Sequence, residues 1–445
     1  MDGVRRRRRR PRCYRRRRPE RGALHATVQE ELETFLASRR GPGADGVPRF
    51  VEKALRAFLR CGLLAYGIAR FSCEACGDDR LVAFSCKARG LCPSCDGRRM
   101  TARAADLVDR VLPYVRHRQW VLSLPFWLRW RCAWDHDLAR AVLRVFLRAV
   151  FAFQRRRARK RRVADGRCGA VTVIQRFGGA LNLNVHFHSL VPDGAWTEAP
   201  DGQLTFHPLP APTDDELEAL TEQIAVRVKR LLVRRSLWID DDDGGRPADT
   251  EEPPALADLY QTAVLGRDAE RVGGGPRLRL EPGTQLGRER RTHGGFDLHA
   301  GVTVSARDRA ALERLCRYLL RPALAQDRLE RLPGGDVLLK LKTRWSDGTT
   351  HVRLTAQQLL ERLSALIPRP RTSSTTACSP PTPSGERASS LGPRQHLVHP
   401  TTPTPPRTPP NDPRPPTTPG PSSCAAASPS TASSAPAAAD IGSWP

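Results

Sequence analysis

The chain has 445 residues and a formal net charge of +26, which favours a polyanionic partner such as nucleic acid. It contains no run of about 18 apolar residues, so we expect neither a membrane span nor a secretory signal peptide. Five of the twelve cysteines lie between residues 73 and 95, a clustering that favours a metal site in a reducing cytosol over a disulfide framework.

The first 22 residues contain two runs of arginine, at positions 5–10 and 15–18. Like charges this dense repel one another, so we expect a disordered basic arm able to bind phosphates without recognising a base sequence. The alternative is an artefact of a start codon assigned too early. Two helices are predicted next, over residues 26–37 and 51–66. The second prediction rests on apolar residues at helical spacing.

Two Cys-x2-Cys pairs follow, separated by fifteen residues. Their members are Cys73, Cys76, Cys92 and Cys95. Each pair can form a tight knuckle, and four thiolates complete a tetrahedral shell, so the spacing predicts one structural zinc ion. We interpret Cys86, a fifth thiol, as a buried neighbour, and the alternative is a substitute ligand. The basic residues Arg98 and Arg99 near the knuckles indicate a DNA-binding surface, unless the zinc only replaces a hydrophobic core too small to fold alone.

From residue 113 onwards the sequence predicts a mixture of strands and helices. The predicted strands are residues 119–126, 171–177, 180–194, 296–304, 337–345 and 351–355. The predicted helices are residues 135–156, 213–238, 308–320 and 357–367. An acidic linker with glycine and proline occupies residues 240–254, and residues 255–293 have no clear pattern.

The strand over residues 180–194 carries the most informative pattern, because apolar and polar residues alternate along it. His186 and His188 then share one face, roughly 6–7 Å apart, where two imidazoles can bind one metal ion. Asn182 and Asn184 extend the same polar face. The alternative is a solvated sheet face that carries two incidental histidines.

Tyr318 lies on the predicted helix of residues 308–320, about 110° from the centre of its apolar stripe. Its neighbours on the polar side are Arg314, Arg317 and Arg321. Three guanidinium groups can offset the charge of a phosphate that meets the tyrosine, which indicates a phosphate-binding surface. The alternative is an amphipathic tyrosine at a helix edge.

Four segments together carry a family resemblance: FSCKARGLCPSC, RQWVLSLPF, VIQRFGGALNLNVHFHSLVPDG and ERLCRYLLRP. They resemble the HUH rolling-circle transposases of bacterial insertion sequences, and more narrowly the two-tyrosine insertion-sequence-ninety-one family with an N-terminal zinc-binding domain. The resemblance covers roughly residues 14–370. It implies an α+β fold, with a zinc-ribbon-like DNA-binding domain at residues 23–112 and an HUH domain, an antiparallel sheet with flanking helices, at residues 113–370.

The resemblance implies that His186 and His188 hold a catalytic Mg²⁺ or Mn²⁺ ion that polarises the scissile phosphate. Tyr318 would attack that phosphate, leaving a 5′-phosphotyrosyl bond and a free 3′-hydroxyl. The chain would thereby nick and join single-stranded DNA at insertion-sequence ends. It departs from the two-tyrosine pattern, because the residues four positions before and after Tyr318 are Arg314 and Pro322.

A third ligand of the catalytic ion is also required. The candidates in the sequence are Gln175, Asp297 and His299. The expected partners are single-stranded DNA at the transposon ends and the target, with no membrane and no small-molecule substrate. We expect a cytoplasmic, nucleoid-associated bacterial protein. The alternatives are a zinc-ribbon DNA-binding protein without catalysis, a metal-dependent hydrolase that uses water as nucleophile, and an inactive transposase remnant.

Residues 371–445 form a low-complexity segment rich in proline, serine, threonine and alanine. Codons shifted by one base over residues 372–383 permit a sequence that resembles the segment this family carries at that point. We therefore expect a frame-shifted tail that is disordered, in a copy with impaired activity. A native disordered linker is the alternative, and sequencing the gene distinguishes the two.

Overall fold

The computed structural model describes residues 18–40, 46–74, 76–77, 79–239, 245–248, 263, 270–272, 290–369 and 375–378. The α-helices within these residues are α1 (Ala23–Ser38), α2 (Arg49–Leu59), α3 (Pro93–Asp106), α4 (Phe126–Trp134), α5 (His136–Lys160), α6 (Asp214–Arg234), α7 (Arg309–Leu319) and α8 (Ala356–Leu366). A π-helical turn, Leu107–Val111, continues α3.

The strands are short and pair antiparallel throughout. Those before α6 are β1 (Ile68–Ser72), β2 (Asp79–Ala83), β3 (His117–Ser123), β4 (Ala170–Phe177), β5 (Leu183–Pro192), β6 (Gly194–Glu198) and β7 (Leu204–Pro208). Those after α6 are β8 (Trp238–Ile239), β9 (Arg246–Pro247), β10 (Glu270–Val272), β11 (Arg290–His293), β12 (Phe296–His299), β13 (Thr303–Val304), β14 (Leu329–Arg331), β15 (Val337–Lys340), β16 (His351–Leu354) and β17 (Thr375–Cys378).

The main sheet has the strand order β11-β12-β3-β5-β4-β17, and β13 also pairs with β3. The strand with the two histidines, β5, is therefore central, between β3 and β4. A second sheet, of order β10-β16-β15-β14, comes from the C-terminal part of the described chain. The α+β fold with antiparallel sheets and flanking helices is confirmed.

Both faces of the main sheet are covered, although the alternating pattern of β5 predicted one solvated face. On one face Phe187 is fully buried and stacks on Phe146 of α5, with ring centroids 6.4 Å apart. On the histidine face, α7 contributes Leu312 and Leu319 to a second apolar cluster. Because a helix closes this face, the second half of β5, including His188, is buried.

The N-terminal helices belong to the same hydrophobic core as the main sheet. Leu24 and Phe35 of α1 and Phe58 of α2 lie in one buried cluster with Trp120 of β3. The two parts also meet at Gly90, which has a φ of +76 that favours glycine. A Cβ at this position would lie 2.6 Å from the carbonyl oxygen of Leu366 in α8. The expected domain boundary near residue 112 therefore does not separate two cores.

Several sequence predictions hold closely, and others differ. Thr213 caps α6 through the predicted capping box with Glu216. The predicted helix 51–66 ends at Leu59, before Gly62, whose φ of +80 does not continue a helix. The predicted strand 296–304 divides into β12 and β13. Helix α4, which follows Pro125, was not predicted, because its aromatic-rich sequence lacks a clear helical stripe.

The arm at residues 1–17, most of the acidic linker and nearly all of the low-complexity tail lie outside the described residues. Within that tail, β17 pairs with β4 at the edge of the main sheet, where we expected no regular structure. None of the described helices is both long and apolar enough to span a membrane.

A buried ion pair fixes the end of β5. The guanidinium of Arg118 donates two hydrogen bonds to the Asp193 carboxylate, at 3.0 and 2.8 Å, and a third to the carbonyl of Ala300 at 2.7 Å. The side chains of Asp193 and Arg118 are only 5% and 6% exposed, and Arg116 contacts the same carboxylate at 3.0 Å. Loss of one partner would leave an uncompensated charge in the protein interior.

We predict that Asp193→Ala lowers the free energy of unfolding by about 3–5 kcal/mol, since it leaves buried arginine charge without its partner. Glu33→Ala is the matched control, because the Glu33 side chain is 72% exposed in its pair with Arg56 and should matter by about 0–1 kcal/mol. Urea denaturation of both variants measures the difference. Equal losses in the two variants would contradict the prediction.

Candidate active site and metal centre

Four cysteine sulfurs converge where α2, the loop after β2 and the start of α3 meet. They belong to Cys61, Cys86, Cys92 and Cys95, and all lie within 4.8 Å of one another. Three of the sulfur–sulfur distances are 3.6 Å. A zinc ion with Zn–S bonds of about 2.3 Å places tetrahedral sulfurs about 3.8 Å apart, so the cluster fits zinc closely.

Backbone groups beside the cluster can stabilise the thiolates that a metal ion requires. Cys92 caps the N-terminus of α3 and Cys95 lies in its first turn, where the helix dipole stabilises negative charge. The backbone N–H of Cys86 donates to the sulfur of Cys61 at 3.4 Å. Hydrogen bonds from the other sulfurs lower the pKa of Cys61, and the contact with Cys61 raises the pKa of Cys86. Metal binding would deprotonate all four.

The structure therefore assembles a different set of cysteines from the one that the spacing predicted. Cys92 and Cys95 are in the cluster, but Cys73 and Cys76 are exposed at the tip of the β1–β2 hairpin. Cys61 and Cys86 take their places. The hairpin carries the first Cys-x2-Cys pair away from α3, and the end of α2 brings Cys61 in. Cys61 lies within the helix predicted over residues 51–66, so no pattern in the sequence indicated its place in the cluster.

Of the two predicted DNA-binding arginines near the cysteines, only one is exposed. Arg98 points to solvent on α3. Arg99 instead donates to the carbonyl of Lys87 at 3.0 Å and to the Asp96 carboxylate at 2.5 Å. Asp96 in turn accepts from the backbone N–H of Gly90 at 2.9 Å. Arg99 thus holds the loop between Cys86 and α3, and its guanidinium is already engaged in contacts within the protein.

His186 and His188 lie side by side on β5, with ring centroids 4.8 Å apart. Nδ1 of His186 lies 2.8 Å from the carbonyl oxygen of Asn184. A carbonyl can only accept, so Nδ1 carries the proton, and in the neutral ring Nε2 keeps a lone pair for a metal ion. Nε2 of the Gln119 amide lies 2.7 Å from Nδ1 of His188, so Nδ1 accepts in this arrangement and the proton of the neutral ring is on Nε2. A metal ion on Nε2 of His188 requires the Gln119 amide to turn over, so that its oxygen accepts from Nδ1–H.

Burial keeps both imidazoles neutral. It lowers the pKa of His186 to about 4, and it lowers the pKa of His188 well below its ordinary value, with a further contribution from His186. Neutral imidazole is the form that binds a metal ion. The chemistry of this pair therefore fits a divalent cation.

Tyr318 lies beside the histidines at the end of α7. Its ring centroid is 6.1 Å from that of His188, at an interplanar angle of 90°. Tyr318 is 37% exposed, so DNA can reach its side chain. Arg321 and Lys342 approach the tyrosine ring, at 4.7 and 4.3 Å from its centroid. Lys342 follows β15 in the second sheet, and no sequence pattern indicated that it would meet Tyr318.

The three arginines predicted to bind phosphate around Tyr318 lie in different positions. Arg321 contacts the rings of both Phe177 and Tyr318, so it is the one within the site. Arg314 is exposed on α7. Arg317 is also exposed and pairs with Glu313 one turn earlier, at 2.6 Å. Arg314 and Arg317 therefore extend the basic surface beside the site without reaching its centre.

The three candidates for a third ligand all lie on the histidine face of the main sheet. Gln175 on β4 pairs directly with His186, and Asp297 on β12 belongs to the same row across β3. His299 lies in the neighbouring row, which contains His188. The antiparallel register, rather than any local pattern in the sequence, brings these side chains to one face.

Residues 27–124 match the family described as "Transposase zinc-binding domain", and residues 169–376 match the family described as "Putative transposase". No curated protein and no solved structure matches the chain. The first matched segment contains the four-cysteine cluster, and the second contains the histidine pair and Tyr318. The chain thus belongs to the transposases of the insertion-sequence-ninety-one type, DNA-processing enzymes with an N-terminal zinc-binding domain.

Proposed function

We propose that this transposase nicks and joins single-stranded DNA at insertion-sequence ends, with Tyr318 as the nucleophile. The observation that supports it most is the approach of the exposed Tyr318 ring to His188, at 6.1 Å between centroids, in a site that also holds two cations. Phosphoryl transfer to a tyrosine requires a nucleophile, a metal-binding histidine pair and cations that bind the phosphate.

In the proposed reaction, the Tyr318 oxygen attacks the scissile phosphorus and loses its proton to solvent. The bond from phosphorus to the 3′-oxygen breaks, and that oxygen takes up a proton to give a free 3′-hydroxyl. The downstream strand stays on the enzyme through a 5′-phosphotyrosyl ester. Arg321 and Lys342 are close enough to the tyrosine to offset the charge of the phosphate.

His186 and His188 would hold a divalent ion, Mg²⁺ or Mn²⁺, which when bound polarises the phosphate. Attack of a 3′-hydroxyl on the tyrosyl ester reverses the first step and joins strands without a nucleotide cofactor. Among the described residues, Tyr318 is the tyrosine that lies at this site, which supports a scheme with a single nucleophile. Arginine–phosphate contacts, among them Arg98, Arg314 and Arg317, would supply most of the affinity for DNA.

We further propose that Cys61, Cys86, Cys92 and Cys95 bind one structural zinc ion, which joins α2 to α3 and so to the core shared with the main sheet. The transposase would act in the cytoplasm on nucleoid DNA, where its single-stranded substrate arises.

The polarity of the proposed ester gives a direct test. Single-stranded DNA labelled at its 3′ end should migrate with the protein on a denaturing gel, whereas a 5′ label should be released with the free 3′-hydroxyl. We predict that His186→Ala abolishes the adduct, since it removes a ligand of the ion. His207→Ala is the matched control, because His207 hydrogen-bonds Thr197 in a separate hairpin, and it should react normally.

An adduct that carries the 5′ label would reverse the proposed polarity. Cleavage without any adduct would favour a hydrolase that uses water, and DNA binding without cleavage would favour a non-catalytic DNA-binding protein. An adduct formed equally well by His186→Ala would remove the histidine pair from the reaction.

A further inference from the structure

Gln175 is a buried polar side chain with half of its hydrogen-bonding capacity unused. It is 3% exposed, and its Nε2 donates to the carbonyl of Leu319 at 2.7 Å and points also to that of Tyr318 at 3.4 Å. Its Oε1 has no hydrogen-bond partner among the described residues. A buried amide oxygen without a partner costs free energy unless a ligand or an ion satisfies it.

The orientation of this amide is fixed by chemistry. Carbonyl oxygens only accept hydrogen bonds, so the NH₂ group of Gln175 must face the carbonyls at the end of α7. Turning the amide over would set one oxygen against another. Oε1 is therefore the amide atom that is turned away from these two carbonyls.

The sheet register places Gln175 next to the metal-binding histidines. It is the direct partner of His186 across β4 and β5, and side chains paired in this way share a face with Cβ atoms about 4.5–5.5 Å apart. Asp297 is in the same row but two strands away, at about 9–10 Å. His299 is likewise two strands from His188. Gln175 is thus the one of the three candidates that lies on a strand adjacent to β5.

We propose that Oε1 of Gln175 is the third protein ligand of the divalent ion, an inference that rests on the proposed function of the histidine pair. Amide oxygen is a suitable ligand for Mg²⁺ and Mn²⁺. The same side chain holds the end of α7, next to Tyr318, through its Nε2. Gln175 therefore ties the position of the ion to that of the nucleophile.

Two variants separate a ligand from a residue that only anchors α7. Gln175→Leu removes both the oxygen and the donor, whereas Gln175→Glu keeps an oxygen ligand but cannot donate to Leu319. We expect Gln175→Leu to weaken Mn²⁺ binding by at least about tenfold, and Gln175→Glu to bind Mn²⁺ as well as the wild type or more tightly. Electron paramagnetic resonance of free Mn²⁺ in titrations of the purified full chain, without DNA, measures both.

Ser123→Ala is the matched control, because Ser123 is the partner of His186 on the other side, in β3, and should leave Mn²⁺ binding unchanged. Thermal unfolding without added Mn²⁺ reports whether each variant folds. If Gln175→Leu does not fold, Gln175→Glu alone decides between the two roles.

Wild-type affinity in Gln175→Leu, or a loss in Gln175→Glu as large as in Gln175→Leu, would overturn the proposal. The proposed function fails in a distinguishable way. If the wild type binds no Mn²⁺, or His186→Ala binds it equally well, then the metal site itself is absent, and the assignment of Gln175 falls with it.

Discussion

Tyr318→Phe should abolish covalent attachment to single-stranded DNA while leaving the affinity for DNA nearly unchanged. The substitution removes only the phenolic oxygen, which is the atom that forms the ester. Affinity should come mainly from arginine–phosphate contacts, which the variant retains. The edge-to-face contact of the ring with His188 also survives, so the fold should not change. Adduct formation should fall below detection, a loss of at least about a thousandfold in rate.

The matched control is Tyr114→Phe. Tyr114 is 76% exposed and packs against the guanidinium of Arg309, so it is, like Tyr318, a solvent-accessible tyrosine with a cationic neighbour. It lies away from the histidine pair and should form the adduct normally. An adduct that persists in Tyr318→Phe would place the nucleophile elsewhere. Tyr260, outside the described residues, would be the next to test.

Cys61→Ser should release zinc and destabilise the N-terminal part of the chain. The sulfur of Cys61 lies 3.6 Å from those of both Cys92 and Cys95, so its loss opens the tetrahedron. In a structural site, much of the metal-binding free energy is folding free energy, so the loss should be large. Cys92→Ser should behave in the same way. Metal analysis of the purified protein and thermal unfolding measure the two effects.

Cys73→Ser is the control, because Cys73 is a zinc ligand only in the set predicted from the Cys-x2-Cys spacing. It is exposed on the β1–β2 hairpin and is not one of the four cysteines that the structure brings together. We expect it to retain one zinc ion per chain. Release of zinc by Cys73→Ser, together with retention by Cys61→Ser, would restore the set with two Cys-x2-Cys pairs. Wild-type protein without zinc would remove the site altogether.

The parts of the fold that local patterns encode were predictable. Alternation over residues 180–194 identified β5 and placed His186 and His188 on one face. A capping box marked the start of α6 at Thr213. The helical stripe of α7 placed Tyr318 at its edge, where the structure leaves it partly exposed. In each case the spacing of residues along one element determines the position of the side chains.

The parts that depend on contacts between distant segments were not predictable from spacing. Cys61 joins the cysteine cluster because α2 packs into the core, and nothing in its local sequence specifies that packing. Lys342 meets Tyr318 because the second sheet lies beside α7. Gln119 contacts His188 only through the pairing of β3 with β5. Periodicity also could not show that α7 would cover the histidine face.

The site of DNA attachment tests the central claim most directly. The covalent complex with a short single-stranded DNA can be digested with a protease and a nuclease, and the modified peptide mapped by tandem mass spectrometry. We predict one nucleotide-bearing peptide, with the phosphate ester on Tyr318. Attachment to a serine, or to a tyrosine other than Tyr318, would contradict the account.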